Sequence, residues 1–525
     1  MRAGLAAAGP LTCALIFGAG CARTPPVRRV VLVVVDTLRA DAVGIWGGTA
    51  ETPNLDRLAA EGVRFAAARS HAPITGPSHA SLFTSRFPSE TGVRTNGDRL
   101  GPELETWAEA LARQGFDTAA FVSLGVLKRE FGFGRGFAAY TDHFGLDWWR
   151  TADDLNRDVL PWVQSAAEPF FLWVHYSDPH EPYAPPGRDY PRVRLTEDGR
   201  DLGSLPADGR TRRVEVDWTG RRLRLGFVEA EPALVEGGLV TLRAVRGGDG
   251  VQVTAGRGMF PWYPDQKVAN FVTALPGELE LERAVGVPVP AGRAVVTLAV
   301  DVKLPIPETR SLYCAEVEHA DRELGRLLAA LRSRFDAEGT LVVVVGDHGE
   351  GLGDHDLVGH IEQLYDSLLH VPLVLWAPGV LPAGVVVDEP VVLVDVWPTV
   401  AELLGLPPPA GARGRSLVPL VHGAAWSAAP LLAQTFRPEA AHDLEALAEG
   451  GHKLVREPES GRLELYDLRA DPGELTNLAA ADPARAAELA ARLDALLASL
   501  SVPAVAPQAP LDDTTRSRLE ALGYF

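Results

Sequence analysis

Residues 30–36 read VVLVVVD, and residues 341–347 read LVVVVGD. Each is a continuous apolar run closed by an aspartate, with no alternation of apolar and polar positions. A strand with one wet face alternates, whereas a strand covered on both faces does not. Two further segments share the pattern, TAAFVS (118–123) and PFFLWVHYS (169–177). Between them lie helical stretches. TPNLDRLAAEG (52–62) offers Thr52 as a cap, Pro53 in the first turn and Gly62 at its end, while LETWAEALARQG (104–115) and AEVEHADRELGRLLAALRSRF (315–335) are amphipathic. The alternation predicts an α/β catalytic domain with a central, largely parallel sheet and helices on both faces.

Outside this pattern the chain changes character. Residues 192–306 hold short alternating runs such as RRLRLGFVE and AVVTLAVDV separated by Gly, Asp and Pro turns, which predicts an inserted β-sandwich-like module. It divides the catalytic domain into 27–191 and 307–436. Residues 437–500 predict a small α+β subdomain, a hairpin followed by the helix PARAAELAARLDALLASL, and 501–525 a tail. At the other end, residues 1–21 carry Arg2 and a short apolar run interrupted by Pro10, which reads as a signal peptide rather than a membrane span. Its FGAGC end is similar to a bacterial lipobox with Cys21 as the lipidated residue. The expected setting is a membrane-anchored bacterial lipoprotein facing the periplasm or cell surface, held by an N-terminal lipid anchor.

With 525 residues the chain is long enough for several domains. Its 50 basic and 69 acidic residues give a net charge of −19, which repels polyanions and excludes nucleic acid as a general partner. Of 3 cysteines, Cys13 and Cys21 fall in the leader, so Cys314 alone remains and no disulfide framework is expected.

Sites in α/β folds collect at the carboxyl ends of parallel strands. Asp36 ends the first strand, Asp347 and His348 end the last, and His175, Asp178 and His180 follow PFFLWV. A lone aspartate there is usually a cap or turn residue. Carboxylates and imidazoles converging from several strands form a candidate set for a divalent cation. In SHAPITGPSHASLFTSRFP (70–88), Pro77 suits the first turn of a helix running to about Thr84. Thr75 then stands at or just before an N-terminus, where free N–H groups favour an anion. Acting as an N-cap is the bland reading of such a threonine.

DTLRADAVGIWGG, TPNLDRLAAEGVRF, PSHASLFTSRFP, GDHGEGLGDH, VPLVLWAPG, ELYDLRADPGELTNLA and the terminal LEALGYF occur in an order that resembles the sulfatase family of the alkaline phosphatase superfamily. Members of that family carry Cys or Ser in a C/S-x-P-x-R motif, oxidised to formylglycine. Here the matching residues are Thr75-Gly76-Pro77-Ser78-His79. A pair of adjacent aspartates after the first strand is replaced by Asp36-Thr37, and the Lys-Trp-His sulfate segment has no counterpart near GVLKREFGFG.

These departures resemble the phosphate-handling branches, namely phosphonate monoesterases, nucleotide phosphodiesterases and phosphoethanolamine transferases, and in the last two a metal-bound threonine is the nucleophile. The resemblance implies one divalent metal ion (Ca, Mn, Mg or Zn) on Asp36, Thr75, Asp347 and His348, and no formylglycine. It places Asn96, 21 residues after Thr75, and His79 against the substrate. His180 and His360 are left to protonate the leaving group or contact the phosphoryl group, and His355 reads as structural. The implied substrate is a small anionic ester, or a glycan or lipid carrying one: a phosphate or phosphonate ester, with sulfate ester hydrolysis and phosphoethanolamine-type transfer as alternatives. A two-metal site drawing on Asp178, His180 and His360 is the rival mechanism. It is disfavoured because the Asp-x-x-x-His spacing is missing. A non-catalytic glycan- or lipid-binding protein is the rival class.

Overall fold

The computed structural model describes residues 27–501, apart from positions 146 and 438, residues 427–429 and short stretches between 188 and 304. The leader with its lipobox-like end and the tail from 502 onward lie outside the described residues.

Nine strands form the main sheet. They are β1 (Arg29–Val35), β2 (Val63–Arg69), β3 (Asp117–Val122), β4 (Ala139–Thr141), β5 (Phe170–Tyr176), β6 (Thr340–Gly346), β7 (His370–Trp376), β8 (Val385–Val387) and β9 (Val391–Val392). Their order is β8-β2-β7-β6-β1-β5-β3-β4, with β9 also on β2. All neighbours are parallel except β7, which runs antiparallel to both β6 and β2.

Every residue of β1 is buried, and successive residues serve opposite faces. Val30, Leu32 and Val34 enter one core, with Ala80, Leu82 and Phe83 of α2 (Thr75–Thr84), Trp107 and Leu111 of α3 (Trp107–Arg113) and Trp397 of α6 (Val396–Leu403). Val31, Val33 and Val35 enter the other, with Leu58 of α1 (Pro53–Glu61), Leu155 and Val159 of α4 (Ala152–Ser165) and Tyr313 and Val317 of α5 (Ile306–Arg334). Each such side chain contributes about 1.5–3 kcal/mol on burial. Both faces therefore demand apolar residues at every position, which explains the unbroken valine runs.

The ends of several elements depart from the pattern expected. α5 begins at Ile306, nine residues before the amphipathic pattern becomes visible, with Pro305 as its N-cap. α3 is shorter than expected and starts behind Thr106, whose Oγ1 accepts from the Glu109 amide while Glu109 bonds back to the Thr106 amide. Between 192 and 303 the described strands form two five-stranded sheets, all of whose pairings are antiparallel. A further four-stranded sheet takes Leu431–Thr435 as its first strand, ahead of the boundary expected at 437. α7 (Pro483–Ala498) packs on it through Ala486, Leu489 and Leu493. Among the described residues no helix is long and apolar enough to cross a membrane.

This last sheet is fastened to the main one through buried polar groups. Lys453 Nζ lies 3.0 Å from Asp366, which also receives Arg69 at 2.7 Å. His71 follows β2. Its Nδ1 donates to Leu432 O at 2.6 Å, and its Nε2 accepts from the Val394 amide at 3.4 Å. Burial pushes its pKa down from 6.5 to about 4. The folded state thus holds His71 neutral while the unfolded chain protonates it. This contribution is complete above the ordinary histidine range and is lost as pH falls toward about 4, amounting to up to roughly 3 kcal/mol. Denaturant midpoints followed down that range should fall, and His71→Asn should flatten part of the fall.

Candidate active site

The carboxyl ends of β1 and β6 lie side by side, Val35 opposite Gly346. Asp36 and Asp347 are the next residues, so the two carboxylates meet at one edge. Gly346 permits this approach, since a Cβ there would sit 2.6 Å from Leu38 O. α2 points its first turn at the same place. Its N-cap is Ile74, whose side chain makes no capping bond, and Thr75 is the first helical residue. The Thr75 hydroxyl turns to the cluster, 3.5 Å from Asp36 Oδ2 and 3.4 Å from His348 Nε2. His348 Nε2 in turn lies 3.5 Å from Asp36 Oδ1 and 3.6 Å from Asp347 Oδ2. Asp36, Thr75, Asp347 and His348 are all completely buried.

Donor atoms about 2.0–2.2 Å from a tetrahedral cation are about 3.4 Å apart, so these separations fit a divalent metal. The electrostatics point the same way. Burial would raise Asp36, but the imidazoles of His175, His180 and His348 hold it well below the usual carboxylate range. Burial and the neighbouring Asp36 push Asp347 well above that range. Burial, then His360, pushes His348 down to about 4, leaving a neutral ring. Asp36 Oδ1 and Asp347 Oδ2 are buried without a hydrogen-bond partner. A divalent ion on Asp36, Asp347 and His348 would supply positive charge to the two facing carboxyl groups and occupy their unpartnered oxygens.

Around this cluster stand the other expected residues. Asn96 Oδ1 accepts from the Gly76 amide at 2.8 Å, and a Cβ on Gly76 would come within 2.9 Å of that oxygen. The Asn96 amide is held by Glu439 Oε2 at 2.8 Å, a buried carboxyl raised to about 8 by burial. His180 and His360 meet edge to face with centroids 5.0 Å apart, and the His360 ring is 4.7 Å from that of His348. His360 Nδ1 is 3.2 Å from Glu350 Oε1. His355 reaches Gly473 O at 3.1 Å and stacks on Tyr365, well into the C-terminal contact.

Two placements bear on the sequence reading of His79 and Asp178. His79, expected against the substrate, is wholly buried beside Phe83, Phe133, Trp173 and His175. Its Nδ1 bonds Thr75 O at 2.9 Å and lies 3.5 Å from Asp347 Oδ2. Asp178, considered for a second cluster, accepts the Ala152 amide with both oxygens at 3.0 Å and so caps α4. Its neighbour is His319, 3.5 Å away, and it joins neither His180 nor His360 as a ligand set. Cys314 is only partly buried. Trp148 is a core residue, while Trp149 lines a cleft with Arg150, Arg157 and Arg210.

The sequence named His175 among the strand-end residues without giving it a role of its own, and its Nε2 is 3.4 Å from Asp36 Oδ2. Its one signal was a polar residue interrupting an apolar strand. Nothing in the sequence marked Glu439 or Glu350. Thr37 fills the place after Asp36 under strain. It is buried at φ 54°, its amide donates to Asp347 Oδ1 at 3.2 Å, and its carbonyl accepts from Tyr313 at 2.7 Å.

The sulfatase family model matches residues 28–406, and the model for the N-sulphoglucosamine sulphohydrolase C-terminal region matches 353–502. The chain belongs to the sulfatase family, and with it to the metal-dependent ester hydrolases. Among its relatives is an N-acetylglucosamine-6-O-sulfatase of Bacteroides thetaiotaomicron, 22% identical over 86% of this chain and 82% of that protein. Arylsulfatase K of Homo sapiens is 24% identical over 88% of this chain and 80% of its own length. The fold is shared with the phosphonate monoester hydrolase of Agrobacterium radiobacter, at a TM-score of 0.59 and 20% identity over 90% of this chain and 95% of the other.

Proposed function

We propose that this chain hydrolyses phosphate or phosphonate esters through Thr75 as nucleophile and a covalent phospho-threonine. One observation carries the reading: the Thr75 hydroxyl, in the first turn of α2, faces Asp36 and His348. Formylglycine is an aldehyde at Cβ, and the threonine Cβ carries a methyl group, so the hydroxyl itself must act. A divalent cation on Asp36, Asp347 and His348 would lower the hydroxyl pKa and neutralise charge on the ester.

The chain's own groups supply the rest. Asp36 Oδ2 is in reach of the Thr75 proton. The Thr75 oxygen attacks phosphorus as the bond to the leaving oxygen breaks, and His180 or His360 protonates that oxygen. The α2 N-terminus and Asn96 face the equatorial oxygens. Water then attacks phosphorus with one of the same imidazoles as base, and Thr75 is released. A sulfate ester on a glycan is the second reading, favoured by the names of the relatives and by the match of the C-terminal region.

Kinetics on matched phosphate, phosphonate and sulfate esters with added Ca, Mn, Mg or Zn separate the two. Phosphate or phosphonate esters should turn over faster by at least about tenfold, a difference of 1.4 kcal/mol in barrier. A clear preference for sulfate would return the chain to the second reading.

The FGAGC segment supports anchoring through Cys21 on the outer side of a membrane. Cys21→Ala should shift the protein from the membrane to the soluble fraction or stall its processing. Unchanged fractionation and mass would exclude the anchor.

A further inference from the structure

His79, His175 and His348 share one arrangement. Each ring is fully buried and tied to the protein through Nδ1: His79 to Thr75 O at 2.9 Å, His175 to Ser123 Oγ at 3.0 Å, and His348 to Gly349 O at 2.9 Å. Carbonyl oxygens only accept, so His79 and His348 must donate from Nδ1. Ser123 Oγ gives its single proton to Ser177 Oγ at 2.9 Å, so it too accepts from His175. In His79 and His348 the remaining nitrogen, Nε2, is left as the one that can accept, and in His175 it is the nitrogen that faces Asp36. Metal-ligating histidines are held in this way, with the second ring N–H bound to a carbonyl or comparable acceptor.

His348 belongs to the cation site already described. The other two have no such role, and Nε2 of both is buried without a hydrogen-bond partner. Leaving such an acceptor dry costs about 1–3 kcal/mol each. His175 Nε2 lies 3.4 Å from Asp36 Oδ2, and His79 Nδ1, which also bonds Thr75 O, lies 3.5 Å from Asp347 Oδ2. The two rings are 5.0 Å apart. One ligand atom from each of His79, His175 and Asp347 lies within 4.8 Å of the others.

We infer that His79, His175 and Asp347 hold a second divalent cation, which shares Asp347 with the first and stands beside Asp36. This rests on the reading of the Asp36, Asp347 and His348 site as a cation site. It uses a donor set different from His180 and His360. Its consequence is a choice of substrate. At neutral pH a phosphate monoester is close to a dianion, whereas a sulfate monoester carries a single charge. Paired cations about 3.5–4 Å apart stabilise both oxygens of an in-line displacement and favour the more highly charged ester. The histidine in T-G-P-S-H then has a chemical role where the family motif has arginine.

The test uses the full chain, freed of metal with a chelator and titrated with Mn²⁺. Bound metal is counted by equilibrium dialysis with elemental analysis, and the ions are examined by electron paramagnetic resonance. The expected result is two ions per chain and an exchange-coupled spectrum. His175→Asn and His79→Asn should each bind one ion and give the spectrum of an isolated ion. Saturation of the unaltered chain at one uncoupled ion would overturn the inference. So would folded variants that still bind a coupled pair. Should the variants fail to fold, the count on the unaltered chain decides alone. The count is independent of Thr75: a coupled pair without a phosphoenzyme would sink the nucleophile and leave the second site standing.

Discussion

Thr75→Ala is expected to fold, to bind metal and to lose about three to six orders of magnitude in kcat, as enzymes deprived of a nucleophile do. If the side chain merely stabilised α2, the change would cost about 1 kcal/mol of stability and leave turnover nearly intact. Ile74 occupies the cap position of α2, and the Thr75 hydroxyl lies 3.5 Å from Asp36 Oδ2 and 3.4 Å from His348 Nε2. Thr75→Ser keeps an oxygen in the same place and should retain part of the rate. Protein quenched during turnover of a phosphate ester should carry a phosphoryl group on the peptide containing Thr75, detectable by mass spectrometry. A fully active Thr75→Ala protein would return the residue to the helix.

Asp347→Asn is expected to be the most damaging change to metal binding. Its Oδ1 accepts from the amides of Thr37 and His348, and its Oδ2 faces the cluster without a partner. An amide of the same shape can keep the backbone bonds while removing the charge. Affinity should fall by more than the about 10–100-fold that loss of a supporting residue costs. Activity should fall with it. Stability should move the other way when metal is absent. Asp347 is pushed up by burial and by Asp36, so a neutral residue relieves that repulsion. Melting of the metal-free variant should therefore be no lower than that of the metal-free unaltered chain. A variant that binds metal normally and turns over would remove Asp347 from the site.

Much of this was legible because the physics is local. β1 and β6 are valine runs since both faces are covered, and an aspartate at the end of such a run is conspicuous. The helix from Thr75 is announced by a proline near its start. Other features depend on what lies across the fold. An apolar strand does not disclose its direction, so the antiparallel β7 could not be read. The first turns of α5, IPETRSLYC, show little periodicity because the helix has only begun to meet the core. His175 is visible within FFLWVHY, where its neighbours dictate a strand, but its partners, Asp36 after β1 and Ser123, are not. Glu439 arrives from the C-terminal sheet, far from Asn96 in the chain. His79 shows a further limit. The motif marked the position, but only the surrounding aromatic rings and the Nδ1 bond show that it faces inward.

Thr37 sets two selective pressures against each other. A β-branched residue in the left-handed well costs about 1–3 kcal/mol, and glycine or asparagine would occupy it more cheaply. Variants ranked by heat tolerance alone would therefore drift toward those residues. The same backbone turn presents the Thr37 amide to Asp347 and lets Tyr313 grip its carbonyl. A softer residue would let the junction between Asp36 and Asp347 wander, and sub-ångström placement is what the chemistry depends on. Thermal robustness and turnover are thus antagonists at this position. A lineage moving to hotter surroundings would have to gain its stability elsewhere in the chain.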